Sequence, residues 1–377
     1  MTFLACVGPL AGPAHADDVR DSQWHLDYLN IPAAHRISQG EGVTVAVVDT
    51  GVDATHPDLR GATVPGADGF AKGQGFVDYH NHGTGLASLV AGRGHGAGNR
   101  AGILGVAPKS KIMPITVMGP RDRGTRPHTI ARGIGHAVDH GADVVLVAFA
   151  GPPDPSLDDV VEYALSRNVL VVASAGQNEH GAGGAIGYPA EVEGVLAVSA
   201  VDRAGRRPSW ANAGSKMALA APGVDIPVAT RGGGHTTVKG TSAAAAIVAG
   251  IAALIRAEFP RESAREIALR LAYTAVDKGP KGRDHQYGFG IPDATKAVSL
   301  TAPPRPTASP SAASATARRS FDAAVPYRSP RDWIRMVATI GVVVLFVAVI
   351  AVLVLRRLVT APRQPSDTAR RHRDVLK

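Results

Sequence analysis

Short apolar runs rich in β-branched residues alternate along this chain with longer segments of helical character. The strand-like runs are 43–48, 144–147, 169–173 and 195–201, and the helix-like segments are 83–92, 128–140, 156–167 and 241–258. Strands that are apolar throughout and alternate with helices are typical of a parallel sheet covered on both faces. The alternation therefore predicts a three-layer αβα fold with a mostly parallel sheet. Ligands bind such sheets beyond the carboxyl ends of the strands, so functional polar residues are expected there or at helix N-termini.

Three polar residues occupy positions of this kind. Asp49 directly follows the run 43–48, His82 precedes a glycine and a helix of small residues, and Ser242 opens an Ala-rich helix just after Gly240. A serine at a helix start has its hydroxyl beside unpaired backbone N–H groups at the positive end of the helix dipole. Each residue alone also fits a purely structural role, because Asp and Ser are favoured in turns and as helix caps.

Taken together and in this order, the segments around these residues resemble the subtilisin-like serine proteases (subtilases). The matching segments are VTVAVVDTGVDATHPDL (43–59), NHGTGLASLVAG (81–92), YPAEVEGVLAVSAVDRAGRRPSWANAGSKMALAAPGVDI (188–226), GGGHTTVKGTSAAAAIVAGIAALI (232–255) and YGFGIPDATKAV (287–298). The resemblance implies a subtilisin-like fold and a serine endopeptidase. By the same resemblance, Ser242 is the nucleophile, His82 the general base and then acid, and Asp49 the carboxylate that orients His82.

The resemblance also implies an oxyanion site and a substrate-binding strand. The family's second oxyanion donor is an Asn after a strand, and the stretch VVASAGQNEHG (171–181) places Gln177 there by simple register, or Asn178 if one residue is inserted. We favour Gln177, whose amide can donate although it is longer by a methylene. Ala148, Phe149 and Ala150 stand where the family has its substrate-pairing Ser-Leu-Gly. Such pairing uses backbone hydrogen bonds and so tolerates changed side chains.

The C-terminal part of the chain predicts a membrane anchor. The run 336–355, MVATIGVVVLFVAVIAVLVL, has neither a charge nor a proline. About 20 apolar residues match the ~30 Å hydrocarbon core of a bilayer, so we expect a single transmembrane helix. Residues 301–335 are rich in Pro, Ala and Ser and predict an extended stalk. The basic tail 356–377 is expected in the cytoplasm by the positive-inside rule.

The N-terminal residues predict export. Residues 1–16 hold an apolar stretch and end in Ala-His-Ala, which is typical of a signal-peptide cleavage site, but the usual basic start is missing. We therefore expect a truncated signal peptide over 1–16, an N-terminal extension over 17–40 and a catalytic domain over 41–300. Both ends predict a single-pass protein of the cell membrane with an extracytoplasmic catalytic domain.

Charge and cysteine content exclude several classes of protein. The net charge of +8 at first favours a nucleic-acid binder, but residues 1–300 hold 27 Lys and Arg against 28 Asp and Glu. The excess of positive charge lies beyond residue 300. The body of the protein is therefore nearly neutral, and we expect no nucleic-acid partner. The single cysteine, Cys6, excludes a disulfide framework and a thiolate zinc site. No EF-hand-like spacing of Asp is present, so no cofactor or metal is expected, and the calcium that many subtilases bind is not indicated.

The predicted order of signal peptide, short extension, catalytic domain, stalk, transmembrane helix and basic tail resembles that of the mycosins. These are membrane-anchored subtilases associated with type VII secretion. That resemblance implies three partners: a protein or peptide substrate, the membrane and a type VII secretion complex. Two alternatives stay open. One is a catalytically weak subtilase that acts mainly as a structural component of a secretion complex, which the departure at Gln177 and Asn178 motivates. The other is a surface protease without secretion partners.

Overall fold

The computed structural model describes residues 15–122, 124–178 and 183–301. Its helices are α1 (His15–Asp21), α2 (Trp24–Tyr28), α3 (Ile31–Ala34), α4 (Gly83–Ala91), α5 (Pro127–Asp139), α6 (Pro155–Ser166), α7 (Thr241–Glu258), α8 (Ala264–Thr274) and α9 (Ala294–Ser299). Its strands are β1 (Thr44–Asp49), β2 (Ala67–Asp68), β3 (Arg93–His95), β4 (Ala101–Leu104), β5 (Lys111–Thr116), β6 (Val144–Val147), β7 (Leu170–Ser174), β8 (Leu196–Val201), β9 (Met217–Pro222), β10 (Ile226–Thr230) and β11 (Gly234–Val238). Each strand and helix expected between residues 43 and 258 is present, with its ends displaced by one residue at most. The stalk beyond residue 301, the transmembrane helix predicted for 336–355, the basic tail and residues 1–14 of the predicted signal peptide lie outside the described residues.

Seven strands form one sheet in the order β2-β5-β1-β6-β7-β8-β9, and all of its strand pairs are parallel. Two antiparallel hairpins, β3-β4 and β10-β11, stand beside it. The predicted α/β fold with a mostly parallel sheet is therefore confirmed. The chain passes from β1 to β5 on one side and then crosses to β6 on the other. The strand order thus changes direction at β1, and ligand sites form at such switch points.

The sheet is buried on both faces because its strands present apolar side chains in both directions. Val45 and Val47 of β1 pack into one core together with α4 and α7. Ala46 and Val48 of the same strand pack into a second core together with α5 and α6. Successive residues of a strand point to opposite faces, so a continuous apolar run serves both cores.

Helix α7 lies in the first of these cores. Among the described residues, it is the one helix long and apolar enough to cross a membrane, judged by length and composition alone. Of its most apolar window, 83% is buried inside the protein, where it packs on α4 and on strands β6 to β9. This burial fixes the start of the helix, and with it Ser242, against the carboxyl edge of the sheet.

Part of the segment predicted as an N-terminal extension packs into the same core. Leu29 and Ile31 are fully buried there. The segment is joined to α9 by hydrogen bonds from Ala294 N to Leu29 O, at 3.2 Å, and from Thr295 Oγ1 to Asn30 O, at 2.9 Å. Helices α2 and α3 therefore contribute to the stability of the body.

Candidate active site

A buried aspartate and a half-exposed histidine meet at the end of β1. Asp49, the last residue of β1, is fully buried, and His82 immediately precedes α4. His82 Nδ1 lies 2.8 Å from Asp49 Oδ1 and 3.0 Å from Oδ2. Since a carboxylate only accepts, Nδ1 carries the proton, and in the neutral ring Nε2 keeps its lone pair. An imidazole held in this tautomer can accept a proton at Nε2.

Glycine at position 83 allows α4 to start this close to β1. A Cβ on Gly83 would come within 2.1 Å of Gly51 O and 3.3 Å of Asp49 Cβ. The Gly83 N–H donates to Thr50 Oγ1 at 3.0 Å, which joins the two chain segments. Any side chain here would push His82 away from Asp49.

Asp78 organises the loop that carries His82. This carboxylate is 3% exposed and accepts hydrogen bonds from Thr50 Oγ1 at 2.7 Å, Asn81 N at 2.8 Å and both N and Oγ1 of Thr84 at 2.8 and 2.6 Å. These bonds fix the backbone on both sides of His82. Asp78 is not among the residues expected from the sequence, although its position four residues before His82 was a usable signal.

The pKa of His82 is raised above its ordinary value. Burial lowers it, but the charge of Asp49, the hydrogen bond that His82 donates to that carboxylate and the charge of Asp78 together outweigh burial. The imidazole remains 40% exposed, so one side of the ring is open to solvent. A raised pKa makes His82 a stronger base than an ordinary histidine.

Ser242 is the second residue of α7 and faces the same cleft as His82. The cleft has a volume of about 180 Å³ and is lined by His82, Gln177, Gly240 and Ser242, among others. The Ser242 hydroxyl donates to Ala148 O at 3.0 Å, and in the described residues it makes no hydrogen bond to His82. Catalytic hydrogen bonds are often long or misaligned without substrate and form in the substrate complex.

Gln177 and Asn178 take different positions around this cleft. Gln177 Oε1 accepts from Thr241 N at 2.9 Å, and the amide lies beside Gly240. Because Thr241 N–H needs an acceptor, this bond directs the amide nitrogen of Gln177 the other way. Asn178 is exposed, its backbone N–H donates to Trp210 O at 2.9 Å, and it is not among the residues that line the cleft.

The three residues predicted for the substrate strand continue β6 past its end. Ala148 is buried and supplies the carbonyl that Ser242 contacts. The Phe149 ring lies 6.1 Å from the His82 ring, centroid to centroid. Ala150 is exposed, and its Cβ would lie 2.8 Å from a Cβ placed on Gly187. These residues thus lie next to Ser242, His82 and Gly187, although they are not among the residues that line the cleft.

Comparison with known proteins agrees with this arrangement. Residues 40–290 match the subtilase family, Peptidase S8. Subtilisin DY of Bacillus licheniformis is 36% identical over 256 residues, which are 67% of this chain and 89% of that protein. Subtilisin Savinase of Lederbergia lenta is 35% identical over 278 residues, covering 73% and 98% of the two chains. The crystal structure of MycP1 with its N-terminal propeptide removed aligns with a TM-score of 0.65 at 27% identity, covering 75% of this chain and 98% of that one.

Proposed function

The chain belongs to the subtilase family of serine proteases, and from that premise we propose that it is a serine endopeptidase whose catalytic residues are Asp49, His82 and Ser242. One observation carries the proposal: the buried Asp49 holds His82 Nδ1 at 2.8 Å, while Ser242 opens onto the cleft that His82 lines. A serine hydroxyl is a poor nucleophile until an adjacent base takes its proton.

In the proposed reaction, Ser242 Oγ attacks the carbonyl carbon of the scissile peptide bond as its proton passes to His82 Nε2. The hydroxyl first gives up its hydrogen bond to Ala148 O. The tetrahedral intermediate then expels the amine, which takes the proton from His82, and an acyl-enzyme remains. Water, deprotonated by His82, releases the acyl group and restores Ser242. Asp49 keeps its charge throughout and stabilises the imidazolium.

The oxyanion of the intermediate is proposed to accept two hydrogen bonds. The first donor is the backbone N–H of Ser242 in the first turn of α7, where N–H groups have no intrahelical partner. The second is the amide nitrogen of Gln177, since Thr241 N–H occupies the amide oxygen. Donors fixed before the reaction stabilise developing charge without reorganising. Ser242, His82 and water account for every proton transfer in this reaction, so the proposed chemistry needs no cofactor.

The substrate is proposed to be an extended protein or peptide chain that pairs with the backbone of residues 148–150. This segment continues β6 beyond the sheet, and its Ala148 carbonyl accepts a hydrogen bond from the Ser242 hydroxyl. Strand addition of this kind takes its affinity from main-chain hydrogen bonds and its specificity from neighbouring side chains. Phe149, beside His82, is the bulky side chain in this segment.

We also propose that the protease is anchored in the cell membrane by residues 336–355, with its catalytic domain outside, and that it works with a type VII secretion complex. The apolar run and the basic tail support the anchor. The similarity to MycP1, which extends over 98% of that chain, supports a mycosin-like role. The near-neutral charge of residues 1–300 disfavours a nucleic-acid partner.

Activity is tested by labelling the full chain with a fluorophosphonate probe, followed by cleavage of a peptide library. We expect covalent labelling and cleavage by the parent and neither by Ser242→Ala, with both proteins equally folded by circular dichroism. Equal cleavage by the two proteins would refute Ser242 as the nucleophile.

The second candidate function is that of a weakly active structural component. The bond from Ser242 to Ala148 O, in place of one to His82, is the observation that favours it. Absence of Ser242-dependent labelling in a folded protein would support this candidate over the protease. Native electrophoresis of solubilised membranes tests the partner: migration with a large complex supports the secretion role, and migration as a small species favours an unspecialised surface protease.

A further inference from the structure

A second cluster of ionisable side chains lies outside the cleft, and none of the steps above uses it. We call it the histidine cluster; it consists of His56, Asp58, His95 and His235. Asp58 is fully buried at its centre. Asp58 Oδ1 lies 2.6 Å from His95 Nδ1, and Asp58 Oδ2 lies 2.7 Å from His235 Nε2.

The donor atoms converge as they do around a metal ion. His56, Asp58 and His235 each offer one ligand atom, and these three atoms all lie within 4.8 Å of one another. Asp58 Oδ2 is 3.9 Å from His56 Nδ1 and 2.7 Å from His235 Nε2. Ligands about 2.1 Å from a tetrahedral zinc ion are about 3.4 Å apart, a separation between these two values. Small shifts of the rings would therefore complete a coordination shell.

The tautomer of the His56 ring is fixed by two hydrogen bonds. Asp58 N–H donates to His56 Nδ1 at 3.1 Å, so this nitrogen has a lone pair, and a metal bound there would replace that hydrogen bond. The other ring nitrogen, Nε2, then carries the proton and donates to Gly234 O at 3.0 Å. Metal-bound histidines commonly donate their second ring nitrogen to a backbone carbonyl, which orients the ring.

Neighbouring backbone leaves room for the cluster. A Cβ on Gly102 would lie 2.1 Å from Asp58 Oδ1 and 2.5 Å from His95 Nδ1. Gly102 also has φ +72°, which disfavours any other residue. The side chains of His95 and His235 are 32% and 17% exposed, so an ion can reach them from solvent.

We propose that His56, Asp58 and His235 bind a divalent transition cation of the Zn²⁺ type, with His95 or a water completing the shell. Imidazole nitrogen together with one carboxylate suits zinc, whereas calcium prefers six to eight oxygen ligands. The cation takes the lone pair of the His235 nitrogen that otherwise donates to Asp58. The proton of that nitrogen leaves to solvent or moves to the other nitrogen of the ring.

Such an ion would join the three chain segments that carry the proposed catalytic residues. Asp58 follows Asp49 by nine residues, His95 follows the helix that begins after His82, and His235 lies in β11 seven residues before Ser242. A ligand that binds only the folded state stabilises it. The proposed role is therefore structural, and the readouts are metal content, spectrum and stability.

The test uses the full chain carrying His82→Ala, which removes the active-site imidazole as a competing ligand and prevents self-cleavage. We expect equilibrium dialysis to find one tightly bound Zn²⁺ per chain. Co²⁺ in its place should give the intense visible absorption of four-coordinate cobalt. Zinc at about 100 times its Kd should raise the Tm by about 5–10 °C.

Two further variants in this background locate the site. His235→Asn, and separately His56→Asn if the first fails to fold without metal, should weaken Zn²⁺ binding at least about tenfold. His140→Asn is the matched control, because His136 and His140 stack on the surface of α5 with ring centroids 3.8 Å apart and could bind zinc by themselves. The control should keep the tight site.

Several results would overturn the proposal. These are the absence of tight zinc binding, tight binding that a folded His235→Asn or His56→Asn retains, loss of that binding in His140→Asn, a weak octahedral cobalt spectrum, or a Tm that rises with Ca²⁺ and not with Zn²⁺.

Discussion

Two buried aspartates, Asp49 and Asp58, each hold histidine side chains in this protein. The two groups differ in the other residues that surround them. Asp49 binds one imidazole, at 2.8 Å, and its remaining bond is from the Thr50 backbone N–H. Asp58 binds two imidazoles, at 2.6 and 2.7 Å, and the backbone N–H of Ile103. Both carboxylates are fully buried, so burial and distance do not separate the two sites.

The two sites differ in the groups that each imidazole faces on the side away from its aspartate. His82 faces a cleft that contains a serine hydroxyl and a helix N-terminus, so a proton can be taken and returned there. The rings of His95 and His235 stack on each other with centroids 5.9 Å apart, and His56 contacts His235 edge-on. One arrangement suits acyl transfer, whereas the other gathers three imidazoles around one carboxylate. An Asp–His pair thus acquires its function from the third group it faces.

Substitution of the two aspartates should separate their roles most strongly. In Asp49→Asn the amide can no longer fix the proton on His82 Nδ1, so we expect kcat to fall by about 10⁴-fold. Circular dichroism and thermal unfolding should remain close to those of the parent. The measurement is kcat on a cleaved peptide, with active sites counted by a fluorophosphonate.

The reciprocal variant, Asp58→Asn, should lower stability and spare the chemistry. An amide cannot accept from two imidazoles and a backbone N–H together, so the free energy of unfolding should fall by about 3–5 kcal/mol. Its folded fraction should keep a kcat close to that of the parent. If Asp58→Asn abolished kcat in a stable protein, the two aspartates would share one function.

Gln177 provides the next largest test, because it distinguishes the cleft from the exposed loop beside it. We expect Gln177→Ala to lower kcat by about 10²–10³-fold with little change in KM, since the lost amide contacts the transition state. Asn178→Ala is the control and should have almost no effect. The opposite pattern would assign the oxyanion donor to Asn178.

A third kind of histidine, one without a carboxylate partner, shows what a carboxylate contributes to the pKa of a histidine. His25 of α2 is fully buried, and neither ring nitrogen has a hydrogen-bond partner among the described residues. Burial lowers the pKa of His25 to about 3. Below pH ~6.5 the unfolded chain therefore binds a proton that the folded chain does not, and stability falls by about 1.4 kcal/mol per pH unit.

His25→Leu should remove this dependence. Urea unfolding at pH 7 and pH 5 should show a smaller loss of stability in His25→Leu than in the parent. The surface variant His140→Leu should behave like the parent. Identical pH dependence in His25→Leu and the parent would mean that His25 does not stay neutral when buried.

The smallest expected effect concerns Asp78. The pKa of His82 is raised, burial being outweighed by the charges of Asp49 and Asp78. His82 must be neutral to act as a base. As the pH is lowered, kcat/KM should therefore begin to fall at a pH above the pKa of an ordinary histidine. Asp78→Asn removes one of the two charges and should move this acidic limb to lower pH, measured as kcat/KM against pH. An unmoved limb in a folded variant would limit Asp78 to holding the loop.

The sequence predicted the large elements well because their patterns are local. The apolar run 43–48 became β1 and the Ala-rich segment 241–258 became α7, since each pattern is set by neighbours along the chain. Gly83 lies within the motif that identified His82, but its purpose emerged only from the distance between its Cβ position and Gly51 O. The predicted signal peptide, stalk and anchor remain predictions.

The histidine cluster could not be predicted, because its members are far apart in the sequence. His95 is 37 residues from Asp58, and His235 is 177 residues from it. The expectation of no metal relied on linear spacing, which detects compact calcium loops and not donors gathered from three separate elements. Gln177 and Asn178 are adjacent in sequence, so register alone left both open.

The sequence by itself determined the αβα fold, the positions of Asp49, His82 and Ser242 at strand and helix ends, and the neutral charge of the body. Periodicity and motif order carry that information because strands, helices and short loops form from neighbouring residues. Only the tertiary structure decided which buried carboxylate faces a serine and which faces further imidazoles. That choice depends on contacts between distant segments, which form when α7 packs on the sheet and strand β10 of the hairpin packs on α4 and β4.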